Sequence, residues 1–178
     1  MAVEIEPNDA EMLRERGHDR LVERGRSAET VNAHSFGLAS YGMDGFIPAT
    51  AQDLKELVLR CGASEFPPLF VEVATSLGNI AFDADVAITG LSGEDFGIQA
   101  FHGGGSPSDA SLLFAHEMFV ENSGFPSYWV HFARNLGGWT YVFDSRDVLG
   151  PVCIDIGEPA VIPVSNSFDE FILSLHIG

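Results

Sequence analysis

The sequence predicts an α+β fold: one domain in which an antiparallel β-meander sheet packs with helices on its N-terminal side and with a short C-terminal helix. Three observations carry that expectation. Between Tyr128 and Val164, short apolar runs alternate with turn signals, the spacing of hairpins rather than of strands joined by crossover helices. Helical periodicity is concentrated upstream of that block and returns only at Phe168 to Leu175. The resulting order of helix, helix, strands, helix, strands and helix lacks the regular βαβ alternation of a parallel sheet.

Residues 1–46 read as a weakly structured N-terminal extension, and 47–178 as the α+β domain. Asp9 to Arg26 mixes charges densely around few apolar residues. Its like-charged pairs at i,i+4 and its glycines at 17 and 25 weaken any helix there. Thr50 opens the first firm helix as N-cap, with Asp53 in the capping-box position. Leu54, Leu57, Val58 and Cys61 form its inner face, and Gly62 ends it. Pro67-Pro68 starts a second helix whose Phe70, Val71, Val73, Ala74 and Leu77 are apolar, before Gly78-Asn79 turns the chain. Ile80 to Leu91 alternates as a strand with one wet face carrying Asp83 and Asp85, and Phe96 to Phe101 follows it. His102 to Asp109 reads as a glycine-rich loop, after which Ser108 or Asp109 caps a helix running from Ser111 to Asn122.

Four strands are expected next, at Tyr128–Ala133, Trp139–Phe143, Pro151–Ile156 and Ala160–Val164. The first two form a hairpin around Asn135–Gly138, since glycines supply the positive φ that a tight reversal needs. Ser167, with Glu170 three residues on, is a second capping-box signature. Phe168, Phe171, Ile172 and Leu175 then recur at helical spacing.

Several of these motifs, in order, resemble the SUKH superfamily. The likeness rests on Phe132-Ala133, Gly137-Gly138, Tyr141, Phe143-Asp144, Gly150-Pro151-Val152 and the run from Ser167 through Phe168 to Phe171. Upstream, Phe66-Pro67-Pro68-Leu69-Phe70 and Gly78-Asn79 resemble its proline-containing helix motif and the turn after it, so the likeness spans roughly Ala49 to Leu175. That superfamily includes a yeast cell-wall-synthesis regulator and many bacterial immunity proteins of polymorphic toxin systems. The resemblance therefore implies a non-catalytic protein that neutralises a cognate toxin by direct binding. The alternative it leaves open is an intracellular regulatory or scaffolding module with no toxin partner.

Charge narrows the partner. The chain carries 26 acidic and 9 basic residues, a net charge of −17. Five of the bases lie in the first 29 residues, so from residue 30 onward 18 acids face 4 bases. Such a field repels nucleic acid and anionic membrane and draws in cationic partners. A basic toxin domain fits, nucleases being the obvious kind because they grip phosphate; solubility or salt adaptation accounts for the acidity equally well. The residues assigned to a docking surface are Asp83, Asp85, Glu94, Asp95, Trp139, Asp144 and Asp147, with Trp139 as its aromatic anchor. Oligomeric state is not specified by the sequence.

Catalytic motifs fail on spacing. His102-Gly-Gly-Gly105 looks like an esterase oxyanion loop, but no Gly-x-Ser-x-Gly elbow accompanies it. His116-Glu117 begins like a zinc-protease helix, yet Val120 stands where the second histidine belongs. His131 alternates away from Val130 and Phe132 and reads as a histidine on the polar face. Cys61 and Cys153 have no metal or redox spacing and read as buried thiols. Neither an enzyme nor a cofactor is expected, nor a metal. No basic segment leads into an apolar stretch at the N-terminus, so a cytoplasmic product is the expectation.

Overall fold

Thr50 begins the first helix as its spacing implies. The computed structural model of the protein describes residues 38–40, 47–77, 80–104, 111–158 and 160–177. The charged segment Asp9–Arg26, the Gly78-Asn79 turn, the Ser108 or Asp109 cap and Pro159 lie outside these residues. Helix α1 (Ala51–Cys61) carries a complete capping box. The Asp53 amide donates to Thr50 Oγ1 at 3.1 Å and Asp53 Oδ2 accepts from the Thr50 amide at 2.7 Å. Gly62 closes the helix in the left-handed conformation (φ 68°), where a side chain would be strained. Helix α2 (Pro68–Leu77) follows.

Strand β1 (Leu38–Ser40) precedes both helices, and β2 (Ile80–Thr89) and β3 (Asp95–Phe101) form a hairpin after them. Helix α3 spans Leu112–Ser123. The meander is β4 (Trp129–Arg134), β5 (Thr140–Asp144), β6 (Val152–Asp155) and β7 (Ile162–Ser165), and it leads into helix α4 (Phe168–Leu173) and strand β8 (Leu175–Ile177). Neighbouring strands are antiparallel in the order β1-β2-β3-β4-β5-β6-β7, with β8 also paired to β2. Ser167 caps α4 by accepting the Glu170 amide at 3.1 Å; Glu170 reaches back to the Asn166 amide rather than to that of Ser167. The α+β expectation holds.

The elements differ from the sequence expectation in four places. Leu175 is the first residue of β8 and not the last of a helix, because the free edge of β2 at Val86–Ile88 takes it up. β1 falls within the 1–46 extension and pairs with Ile80–Phe82. The N-cap of α3 is Ser111, beyond Ser108 and Asp109, and it caps without a side-chain bond; the Leu112 amide instead donates to the Gly103 carbonyl at 2.6 Å. His102–Gly104 is buried and tied down rather than a loose loop. The Gly104 amide donates to the Ile47 carbonyl at 2.7 Å, and a Cβ on Gly104 would stand 2.5 Å from the Pro48 carbonyl oxygen.

The main core joins α1, α2 and α4 to one face of the sheet. Phe132 sits at its centre, 2% exposed, with ring contacts to Phe70, Phe101, Tyr141, Phe143, Phe168 and Phe171. A register shift between His131 and Ala133 turns both Phe132 and Ala133 into this core, as a β-bulge does. The opposite face of β4–β6 is not wet. A second cluster of Phe119, Val142 and Cys153, flanked by Val120, Phe125 and Trp129, lies there against α3. His131 is accordingly buried beneath α3 instead of lying on a solvated polar face.

Two stability outcomes follow from this packing. Phe132→Ala should cost about 3–5 kcal/mol, read as a lowered urea midpoint with unchanged m. Gly150 has φ 59° and a Cβ there would meet Pro67 Cγ at 2.5 Å, whereas Gly93 has φ 84° with open space around it. Both alanine variants bear the backbone penalty of about 1–2 kcal/mol; only Gly150→Ala should lose substantially more, by pushing α2 off the β5–β6 turn. Equal losses would mean the Pro67 contact yields freely.

Candidate functional site

The seven residues assigned to docking fall at separate places on the sheet. Glu94 and Asp95 share the β2–β3 turn, where the Gly90 amide donates to the Glu94 carbonyl at 2.8 Å. Asp95 accepts from Thr89 Oγ1 at 2.6 Å and has His176 Nε2 at 3.9 Å. Both acids are exposed, as is Leu91 beside them. Asp83 and Asp85 lie further back on β2, inside the register shift of its ladder with β3 between Ala81 and Val86.

Trp139 stands at the tip of the β4–β5 hairpin. Asn135 folds that tip: its amide donates to the Trp139 carbonyl at 3.0 Å and its Oδ1 accepts the Trp139 amide at 2.8 Å. Gly138 supplies the positive φ of 83°. The turn exposes Leu136 (84%) and Trp139 (38%), whereas Trp129 packs against the second cluster. Across the ladder, Thr140 pairs with Asp155, so Asp155 and the exposed Glu158 border the same end of the sheet.

Asp144 and Asp147 occupy the other end of β5. Asp144 is not a free acid. Arg146 Nη2 reaches its Oδ2 at 2.6 Å, and this bond holds the Asp144 carboxyl below its ordinary range. Arg146 also lies 3.6 Å over the Tyr128 ring, so the trio reads as a turn lock. Asp147 accepts the Leu149 amide at 2.9 Å and leaves Val148 and Leu149 exposed. Glu94 and Asp95 are thus neighbours on the β2–β3 turn, at the end of the sheet that holds the β4–β5 tip, whereas Asp144 and Asp147 lie at the opposite end of β5 from Trp139.

A concave feature went unread in the sequence. An open cleft of about 380 Å³ lies between α3 and the β4–β5 hairpin. Phe114, Met118 and Phe119 line its α3 side, while His102, His131, Arg134 and Thr140 line it from the sheet. His102 Nε2 and His131 Nε2 are 3.2 Å apart, and His131 Nδ1 lies 3.2 Å from the Ala115 carbonyl. His131 Nε2 also lies 3.1 Å from the Ala133 carbonyl, so the neutral ring, with one N–H, can donate to only one of the two carbonyls it faces. The separation of 29 positions between the two histidines explains why spacing alone did not join them. A third buried histidine, His116, has its Nε2 3.6 Å from Cys61 Sγ. Burial pushes the Cys61 thiol up to about 12, so this pair holds no thiolate. Among the described residues, no group of His, Cys, Asp and Glu is arranged to hold a metal ion.

Burial lowers both His116 and His131 to about 4. The unfolded imidazoles titrate near 6.5. Between those values the unfolded chain binds more protons, so the stability is present above about 6.5 and is lost as pH falls toward 4. Lowering pH from 7.5 to 5 should remove roughly 2 kcal/mol through His131. His131→Gln should flatten that slope, whatever its stability at pH 7.5. An unchanged slope in urea titrations would show that His131 is already protonated in the fold. Asp144 acts in a separate, more acidic window, because its folded value lies below that of an ordinary aspartate.

Among the described residues, no helix is long and apolar enough to cross a membrane. No curated protein matches the sequence. A family profile does: that of the SMI1 / KNR4 family (SUKH-1) matches residues 48–174, more than two thirds of the chain. The match takes in α1 through α4, including the Phe132 core, the Gly-Gly hairpin and the Ser167 cap. That family includes immunity proteins and related modules, and its members commonly bind protein partners. With its helices, meander and closing helix all inside the matched span, the chain belongs to the SMI1 / KNR4 family (SUKH-1).

Proposed function

We propose that the protein acts by occupying a protein partner, without turnover, as an immunity protein that neutralises a basic toxin domain inside the cell. Family membership over residues 48–174 is the observation that carries this reading. Charge gives it physical sense: with 18 acids against 4 bases from residue 30 onward, encounter with a cationic surface is steered at long range. The end of the sheet carrying Leu136, Trp139, Asp155 and Glu158 is the assigned contact, an apolar tip with an acidic border. Glu94 and Asp95 on the neighbouring hairpin turn contribute to steering. Asp144 takes no part, because Arg146 already neutralises it.

Affinity capture from the native source, followed by identification of the bound protein, tests the reading. A basic protein bound without modification of either chain is the expected outcome. Failure to retain any protein, or a captured partner that is strongly acidic, would remove it. With the partner in hand, Glu94→Gln/Asp95→Asn should slow association about threefold at low salt and hardly at all at high salt. Trp139→Ala should instead speed dissociation about tenfold or more. Stopped-flow and surface-capture kinetics separate the two effects.

A further inference from the structure

The buried polar contacts that hold helix α3 in place run through imidazoles. On the sheet side, His131 Nδ1 lies 3.2 Å from the Ala115 carbonyl, and the Phe119 ring tilts over the imidazole with centroids 5.4 Å apart. On the other side, His116 Nε2 lies 3.6 Å from Cys61 Sγ at the end of α1. Both rings are buried, so a proton taken up by either puts a charge where water does not reach. The groups around them offer that charge little. His131 faces His102 at 3.2 Å, with His116 on α3 and Arg134 on β4 nearby; β5 sets Val142 opposite it, and β6 contributes the Cys153 thiol, which burial keeps neutral. His116 has Cys61 and Arg60 of α1 beside it and Glu117 on its own helix, and Glu117 is already paired with Arg60 at 3.1 Å. Were His102 and His131 both charged, each facing Nε2 would carry hydrogen and neither could accept.

We propose that α3 is a proton-released flap: acidification charges His131 and His116 together, and the stretch from Ala115 to Ser123 leaves the sheet while the main core stays folded. The helix is built to come away first. Ser111 makes no side-chain cap bond, the first turn holds no acid and the last turn no base, so nothing complements the helix dipole. Leu112 and Leu113 reach the main core and serve as the hinge, whereas Phe119 packs only into the small cluster with Val142 and Cys153. The Arg60–Glu117 pair is exposed and holds weakly. Burial lowers both imidazoles to about 4 in the closed form, against about 6.5 in water. The open form therefore binds more protons, and the closed form, favoured above about 6.5, is lost as pH falls toward 4. Opening removes the α3 wall of the cleft and bares Val142 and Cys153. The inference is independent of the partner proposed above.

Amide-resolved hydrogen exchange of the full-length protein tests the flap, at pH 7.5 and at pH 5, corrected for intrinsic rates and repeated over a series of low urea concentrations. Protection of the α3 amides should fall about thirtyfold for each histidine that the opening exposes. Their exchange should be nearly insensitive to urea, as expected when little surface is bared. The amides of β5 and α4 should stay better protected at pH 5 and carry the full urea slope of global unfolding. His131→Gln and His116→Gln should each remove about thirtyfold of the α3 response, and the unsubstituted protein decides the matter if either variant does not fold. Protection of α3 that is the same at both pH values would overturn the flap. So would α3 and β5 amides that exchange at pH 5 with one free energy and one urea slope, because the molecule would then open only as a whole.

Discussion

Everything in the main core answers to one ring. Phe132 occupies the bulge of β4, and the extra residue there sends two consecutive side chains into the same core. Six aromatic rings close around it, drawn from α2, β3, β5 and α4. Most of these pairs are edge-on or tilted, the geometry that the ring quadrupole favours. Phe70 and Phe168 lie almost a hundred residues apart and meet at 5.4 Å. A core of interlocking rings accommodates volume change poorly, so α2 and α4 have one way to dock. Gly150 lets the β5–β6 turn lie against Pro67 at the start of α2, fixing that docking from outside.

The same bulge determines the other face. With Phe132 and Ala133 turned inward, His131 is the residue of β4 left beneath α3, where it bonds the Ala115 carbonyl. The helix then covers Val142 and Cys153 in its own small apolar cluster. The sheet is consequently two different surfaces. Its β4–β6 half is sandwiched between helices, and its β2–β3 half keeps Thr89, Asp95 and Gly97 in water. The cleft lies along the covered half, between α3 and the hairpin.

Sequence pattern foretold what depends on near neighbours. The Thr50–Asp53 box, the Gly62 cap, the Asn135–Gly138 reversal and the Ser167 cap are all closed by residues within four positions, and each forms as its local chemistry requires. The Phe168 and Phe171 positions were equally legible, since helical spacing alone puts them on one side. What escaped depends on remote residues. β8 is a strand because β2 offers an edge 87 positions back in sequence at Leu175↔Ile88. The cleft needs α3 laid beside a hairpin, and the His102–His131 contact needs β3 and β4 to meet. Gly104 read as a loop glycine because the Pro48 backbone that crowds it is invisible to local pattern. The acidic residues were easy to find and hard to group, because turns collect carboxylates for backbone reasons at both ends of a sheet.

Both margins of the eight-stranded sheet bear on how the molecule stays apart from copies of itself. At one margin, β1 and β8 come from opposite ends of the described chain and each covers three residues along the side of β2, leaving Asp83-Ala84-Asp85 between them. At the other, β7 carries Pro163, which has no amide proton to offer an incoming strand. An uncovered strand margin invites addition of another chain's backbone, and charge or proline there discourages it. With its first and last described strands as selvedges, the sheet tolerates an added chain only where that chain leaves β1 and β8 seated. A fusion that dislodges either would expose a longer β2 margin to a neighbouring molecule.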